Sequence, residues 1–337
     1  MNSKISAKDS MNIMKQIWML PQDSQIVNFR MHEYSVRFIC NDLKIYELVK
    51  HFFYPFCITE NNTDFNVTVI YYCAPNIDFF EVRKYIGNDN IGLFNEDDFL
   101  KYVLNKENNT VYILSNKKVD VIYVARIVRA VFRFLFVKDN WVLFHASAYA
   151  DDDGGHLIIG NKFDGKTYTL LQKLKTTSNA QFISNDKVFL KRVGDDVLIT
   201  ALPHKAGIRF GTIKDFTEIL QWLSCHKTTY KHMQFHEIEN YLNCSWIKNI
   251  DEYRILLTPL EISDIFHVGI KSQTKMVNIQ YAKKVVKKEG ILQRQHISID
   301  DDNQRFLDKL FIINREKEKN NLNNLLSYLS TRGFLIV

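Results

Sequence analysis

Gly160, Asn161, Lys162, Phe163, Asp164, Gly165, Lys166 and Thr167 spell G-N-K-F-D-G-K-T, the stretch whose residue types and spacing most clearly predict chemistry. It fits the phosphate-loop (Walker A) pattern G-x-x-x-x-G-K-[ST]. Tight turns at Gly160 and Gly165 would aim successive backbone N–H groups at phosphate oxygens. A helix starting behind them would add its positive N-terminal end. Lys166 would then reach the β- and γ-phosphates of a nucleotide, and the Thr167 hydroxyl would hold Mg²⁺. Such a loop needs a strand before it and a helix after it. Residues 156–159 read as a buried strand, and 168–174 carry apolar residues at helical spacing.

Other elements must bring partners to this loop. Residues 26–30 and 34–39 alternate apolar and polar side chains and read as paired strands around a turn at 31–33. Helical spacing follows at 43–53, a strongly β-prone run at 66–73, and a turn at Glu107, Asn108 and Asn109 before a strand at 111–114. Residues 1–118 are therefore expected to form an α+β domain. Residues 119–137 predict a long helix. Val121, Ile122, Ala125, Val128 and Val131 lie near one face, and Arg126, Arg129 and Arg133 form a solvated basic edge. Strands are expected at 141–147, at 180–190 around a short turn, and at 197–201, with hairpin turns at 151–155 and 194–196. A helix is expected at 215–223, strands at 253–257 and 265–270, and charged amphipathic helix within 304–330. The implied division is 1–118, 119–303 and a C-terminal helical segment 304–337, with the long helix kept beside the phosphate loop.

Composition narrows the class. The chain has 337 residues, with only 12 Gly and 5 Pro, which argues against disorder or repeats. Its net charge of +6 suits anionic ligands such as nucleotides and is too mild to indicate nucleic acid. No window approaches the roughly 18 uninterrupted apolar residues of a membrane span, and no signal-peptide core is seen. Cys40, Cys57, Cys73, Cys225 and Cys244 include no C-x-x-C, which points to a reducing compartment. The expectation is a cytoplasmic protein with neither membrane nor nucleic acid as partner. Cys225, His226, His232, His236 and Cys244 match no usual zinc spacing. Lys283, Lys284, Lys287 and Lys288 read as a solvated charged face.

Four further segments sharpen the loop. L-F-H-A-S-A (143–148) precedes it, and F-I-S-N-D-K-V (182–188), A-L-P-H-K-A-G-I-R-F (201–210) and L-T-P-L-E-I-S-D-I-F (257–266) follow. In this order, over residues 120–270, the chain resembles the HPr kinase/phosphorylase family and its relatives that phosphorylate precursor peptides in natural-product clusters. The resemblance implies an α/β nucleotide-binding domain of the phosphoenolpyruvate carboxykinase-like fold, using ATP and Mg²⁺. It implies transfer of the γ-phosphoryl group to a Ser or Thr hydroxyl of a small protein or peptide. Asp186 is the candidate metal ligand or activator of the acceptor hydroxyl. His145 would orient the acceptor or donate to a phosphate oxygen. Arg209, between Gly207 and Gly211, is the candidate further cation.

This chain departs from the family twice. Relatives carry two adjacent Asp residues where it has Asn185 and Asp186, and an amide cannot act as a base. They favour small residues where it has Lys162, Phe163 and Asp164, and Asp164 sets a negative charge beside the phosphates. Both departures favour a second reading, a non-catalytic nucleotide-binding or scaffolding protein. Residues 1–118, which the resemblance does not reach, would recognise the substrate or a leader segment. Oligomer formation stays open.

Overall fold

The alternating residues near the N-terminus form an antiparallel pair, β1 (Gln25–Met31) and β2 (Tyr34–Cys40), in which Gln25 faces Cys40 and Met31 faces Tyr34. His32 turns the chain with φ 57°. The computed structural model describes residues 24–59, 64–74, 91–97, 100–106, 108–228, 254–285, 290–298, 307 and 311–334. They belong to a mixed α/β protein with two compact units, Met1–Lys138 with Asp302–Ile313 and Asp139–Asp301 with Asn314–Val337.

In the first unit, β1 and β2 join β3 (Cys57–Ile58), β4 (Val67–Cys73), β5 (Ile91–Asp97), β6 (Leu100–Asn105) and β7 (Thr110–Ser115). The sheet order is β3-β1-β2-β4-β7-β6-β5. The β2–β4 and β4–β7 pairs are parallel and the others antiparallel. Helix α1 (Leu43–Phe52) starts where the Asp42 carboxylate accepts the Ile45 N–H at 3.1 Å, a side-chain cap. Helix α2 (Val121–Lys138) packs on this sheet. Phe132 meets Phe53 (6.3 Å between centroids), Phe136 meets Tyr34 (5.1 Å) and Phe134 stacks on Phe311 (5.5 Å).

These contacts change two sequence expectations. The long helix belongs with the first unit, because its aromatic face is completed there, so the compact division falls after Lys138 and not near Lys118. Its arginine row is a solvated edge only in part, because Arg126 and Arg129 are partly exposed and Arg133 is not. Arg133 is only 2% exposed, and residues 130–137 are buried on every side of the helix.

The second unit carries an eight-stranded sheet of β8 (Val142–Phe144), β9 (Ser147–Ala150), β10 (Gly155–Ile159), β11 (Gln181–Ser184), β12 (Val188–Val193), β13 (Asp196–Ala201), β16 (Gly269–Ile270) and β17 (Gln273–Tyr281). Their order is β16-β11-β9-β10-β17-β13-β12-β8. A separate ribbon pairs β14 (Ala206–Arg209) with β15 (Arg254–Leu257). Helix α3 (Lys166–Thr176) follows β10, and α4 (Phe210–Ile213), α5 (Thr217–Cys225) and α6 (Pro259–Phe266) pack near it. Leu170, Leu171, Leu174, Phe182, Ile219 and Ile262 share their core. Each such side chain contributes about 1.5–3 kcal/mol on burial. The core therefore fixes α3 against the sheet, and with it the loop that precedes α3.

Residues 265–270 were expected as a strand and instead end α6 and continue into the two-residue β16. The local signal was stronger than the apolar run suggested. Thr258 and Glu261 form a reciprocal capping box, and Pro259 occupies the first helical turn. The 141–147 strand is likewise two strands broken at His145 and Ala146. Helix α7 (Ile291–Arg294) is short, and α8 (Arg315–Thr331) realises the expected C-terminal helix. The 304–337 segment is divided, however. Phe311 stacks in the first unit, whereas α8 belongs to the second through Tyr328 Oη on Asp195 O (2.6 Å) and Asn321 on Asn140 (3.1 Å).

Candidate functional site

The strand registers of the second unit bring several chain ends to one edge of the sheet. β17 runs parallel to β10, with Ile159 beside Tyr281, while β9 runs antiparallel to β10 and β11 antiparallel to β9. The C-terminal ends of β10, β11 and β17 therefore lie beside the N-terminal end of β9. In open α/β sheets, ligands sit outside such carboxyl ends. A cavity of about 810 Å³ opens there.

The 160–165 loop forms its floor. Gly165 holds φ 93° as it enters α3, a conformation that glycine adopts without strain. A Cβ on Gly160 would lie 3.0 Å from both Ala282 Cβ and Asp164 Cβ, so that position admits no side chain without movement. No side chain caps α3, and its first turn holds no acidic residue. Its leading N–H groups and helix dipole therefore favour an anion. Lys166 is 8% exposed and bends back over the loop, its Nζ donating to Gly160 O (2.8 Å) and Asn161 O (3.2 Å). Burial lowers its pKa, opposed by the charges of Asp186 and Asp164. Asp164 turns inward on the loop, with its carboxylate accepting the Asn161 N–H at 2.6 Å.

The turn between β11 and β12 forms one wall. Asp186 takes φ 86°, strained for a residue with a side chain. Its Oδ1 lies 2.8 Å from His145 Nε2, and its Oδ2 lies 4.0 Å from His204 Nδ1. Burial works to raise the Asp186 pKa. The His145 hydrogen bond and the charges of His204, His145 and Lys187 outweigh it and hold the carboxyl well below its usual range. Asn185, 4% exposed, accepts hydroxyl hydrogens from Ser147 (2.9 Å) and Thr167 (3.1 Å) through Oδ1. Behind the loop, the Gln295 side-chain amide donates to Gly160 O (2.9 Å) and His145 O (3.1 Å). The His145 N–H in turn donates to Gln295 O (2.7 Å). One buried residue thus ties the loop to the His145 strand break.

The β14–β15 ribbon forms the opposite wall and shows the period-2 alternation of a half-buried strand. Ala206, Ile208, Ile255 and Leu257 enter the core, while Gly207, Arg209, Arg254 and Leu256 face the cavity. Phe163, 62% exposed at φ 75°, reaches across from the loop, with the Arg209 guanidinium 4.5 Å and Lys162 Nζ 5.2 Å from its ring centroid.

Of the residues that sequence singled out, His145, Asn161, Lys162, Phe163, Gly165, Lys166, Thr167, Asp186 and Arg209 line this one cavity. Gly160 and Asp164 act from behind it through the backbone contacts above. Sequence reasoning did not assign Ser147, His204 or Arg254, which also line it, although Ser147 and His204 stood within segments already singled out. It set aside Lys283 and Lys284. The Ala282 N–H donates to Ile159 O (2.8 Å) and the Lys284 N–H to Asp164 O (3.0 Å), so the chain leaving β17 is laid on the loop and both lysines reach the cavity. Only the β10–β17 pairing reveals this. Lys287, Lys288, His232, His236 and Cys244 lie outside the described residues.

The arrangement combines a cationic helix N-terminus, hard oxygen donors at Thr167 and Asp186, and a carboxylate–imidazole pair. Such donors suit Mg²⁺ in preference to a softer metal. Among the described residues, no group of three or more His, Cys, Asp or Glu side chains is placed to hold a metal ion, and no helix is long and apolar enough to cross a membrane. No protein-family model matches the chain, and no curated protein matches it.

Proposed function

We propose that this protein is a Mg-ATP-dependent kinase that phosphorylates a Ser or Thr hydroxyl of a small protein or peptide, with the second unit adopting the phosphoenolpyruvate carboxykinase-like fold of the HPr-kinase-like enzymes. The observation that carries the reading is the position of the uncapped α3 N-terminus, with Lys166 and Thr167, in one cavity with the His145–Asp186 pair. The loop amides and Lys166 would bind the nucleotide phosphates, with Lys283 and Lys284 adding positive charge. Thr167 would hold Mg²⁺, whose role would be to neutralise phosphate charge, and Asp186 takes the other of its two candidate roles, that of base. The acceptor oxygen forms a bond to the γ-phosphorus as the bond to the β–γ bridging oxygen breaks, and ADP leaves. The hydroxyl proton passes to Asp186 Oδ2, the carboxylate oxygen that His145 does not engage. A carboxyl held low is a weak base, but the bound nucleotide's negative charge raises its proton affinity.

A second reading, a nucleotide-binding protein without transfer, is favoured by Asn185. Its amide is neutral, and its Oδ1 already accepts two hydroxyls. One experiment separates the two readings. The full chain is incubated with Mg-ATP and short peptides encoded beside its gene, then weighed intact. Phosphate addition that is lost in Lys166→Ala and Asp186→Ala supports the kinase. Tight ATP binding without transfer supports the second reading, and failure to bind ATP sinks both.

A further inference from the structure

The loop that would hold the nucleotide and the imidazole that engages Asp186 come from different strand ends, and one side chain bonds the backbone of both. Gln295 is 8% exposed and follows α7, whose Ile291 and Leu292 are buried. The chain beyond α7 pairs antiparallel with β8, the last strand of the eight-stranded sheet. Phe144 and His296 form a bridge there, and the Ile297 N–H donates to Leu143 O at 2.9 Å. With the His145 N–H on Gln295 O (2.7 Å), these bonds fix the Gln295 backbone. Its side-chain amide carries two N–H donors, one for Gly160 O (2.9 Å) and one for His145 O (3.1 Å).

The Gly160 carbonyl is shared. It also accepts from Lys166 Nζ at 2.8 Å, so two donors meet on one oxygen of a buried residue. Losing one of them leaves the oxygen paired, whereas losing both leaves it orphaned, which costs much more. The residue type fits this place. A neutral amide of this length supplies both donors without adding charge. A Glu would oppose its carboxylate to two carbonyl oxygens, and a Lys would set a second cation beside Lys166. His145 Nε2 in turn lies 2.8 Å from Asp186 Oδ1.

We propose that Gln295 is a positioning residue for phosphoryl transfer, one that fixes the phosphate loop against the His145–Asp186 pair and so sets the γ-phosphate against the acceptor. This deepens the kinase reading and rests on it for the reaction. Gln295 does not line the cavity, so it acts through Gly160 and His145. Transfer is more sensitive to such placement than binding is. Several loop amides hold the phosphates together, whereas a shift of about 1 Å between reacting atoms can cost about a hundredfold in rate.

The test uses the full chain and Gln295→Met, which keeps the length of the side chain and removes both donors. Mg-ATP affinity is measured by calorimetry. ADP formation at saturating ATP is followed with the same peptides and with water as acceptor. The Kd for ATP should stay within about threefold of wild type, while the rate should fall at least about tenfold. A second arm needs no nucleotide. The urea midpoints of wild type, Gln295→Met, Lys166→Ala and the double variant form a cycle. Each single variant leaves Gly160 O one donor and the double variant leaves none, so its midpoint should fall by more than the two single shifts together. Additive shifts overturn the proposal, because the two side chains would not then share that carbonyl. An unchanged rate overturns it, as does ATP affinity that falls by as much as the rate, the mark of a loosened fold. A Gln295→Met chain that fails to fold also overturns it and assigns the amide to the scaffold. Wild type that binds ATP and forms no ADP with either acceptor defeats the kinase reading itself, and a non-additive cycle would then leave the Gln295 link standing.

Discussion

Phe163 and Asp186 both hold left-handed backbone, at φ 75° and 86°, where a side chain costs about 1–3 kcal/mol. Strain at two residues that share one cavity argues for use over stability. For Phe163 the argument is testable. Its ring is largely exposed, so little burial is lost on removal, and its exposed cation–π contacts are worth about 0.5–1 kcal/mol each. Phe163→Gly is therefore expected to leave the urea midpoint close to wild type while weakening ligand binding in the cavity that Phe163 lines. A large loss of stability would instead make the ring structural. Cysteine reactivity provides a second check. Burial pushes the Cys40 thiol up to about 12 and the Cys57 thiol to about 11, whereas Cys225 is exposed. Alkylation of the native protein at pH 8, followed by peptide mass mapping, should mark Cys225 well before Cys40 or Cys57. At this scale the sequence was informative about types. The phosphate-loop residues, Asp186 and Arg209 could be named, but strain at Phe163 and Asp186 is a dihedral, which no residue letter reports.

Helix starts divide into those a side chain caps and those, among them α3, α4, α5 and α7, that none does. Asp42, Thr258 and Asn314 cap α1, α6 and α8 with their own side chains, whereas α3 begins at an uncapped glycine. Thr258→Ala removes the hydroxyl half of a buried capping box, leaving the Thr258 N–H on the Glu261 carboxylate, and should cost about 1–2 kcal/mol, visible as a lower urea midpoint. Gly160→Ala tests the loop in the same way. Its Cβ would press on Ala282 and Asp164 at 3.0 Å, so nucleotide affinity should fall at least about tenfold, with about 1–3 kcal/mol of stability lost to overpacking. An alanine variant that binds nucleotide normally would show that the loop does not need this close approach. Elements with a local signal were legible, including the β1–β2 pair, α1, the β9–β10 hairpin and α3. The start of α6 was equally legible in Thr258, Pro259 and Glu261, but the apolar run after it was given more weight. Helix α2 misled for the opposite reason. Its arginines looked like a polar face, yet Arg133 is buried, because side-chain spacing says nothing about what packs on a helix from outside.

Across the molecule, a ligand that binds only the folded second unit should stabilise that unit by mass action, by about 2.7 kcal/mol at a hundredfold excess over Kd. Hydrogen exchange with and without Mg-ATP should show the gain in protection concentrated within residues 139–301. A gain centred in residues 24–138 would place the nucleotide elsewhere and contradict the proposed site. The division after Lys138 matters to the design of such work. Cutting before α2 would strip the first unit of Phe132 and Phe136, which complete its aromatic core.

The sequence by itself determined the local chemistry: a glycine-rich loop between strand and helix, a lysine and a threonine at its end, a histidine in the segment before it, and an acid and an arginine in the segments after it. Each of these depends on near neighbours along the chain. Only the tertiary structure decided their company. The β10–β17 pairing laid Lys283 and Lys284 on the loop, the β14–β15 register set Arg254 opposite Arg209, and the strand break at His145 met the strained turn at Asp186. Those meetings join residues far apart in the chain. They depend on strand register and core packing, which no short window of sequence encodes.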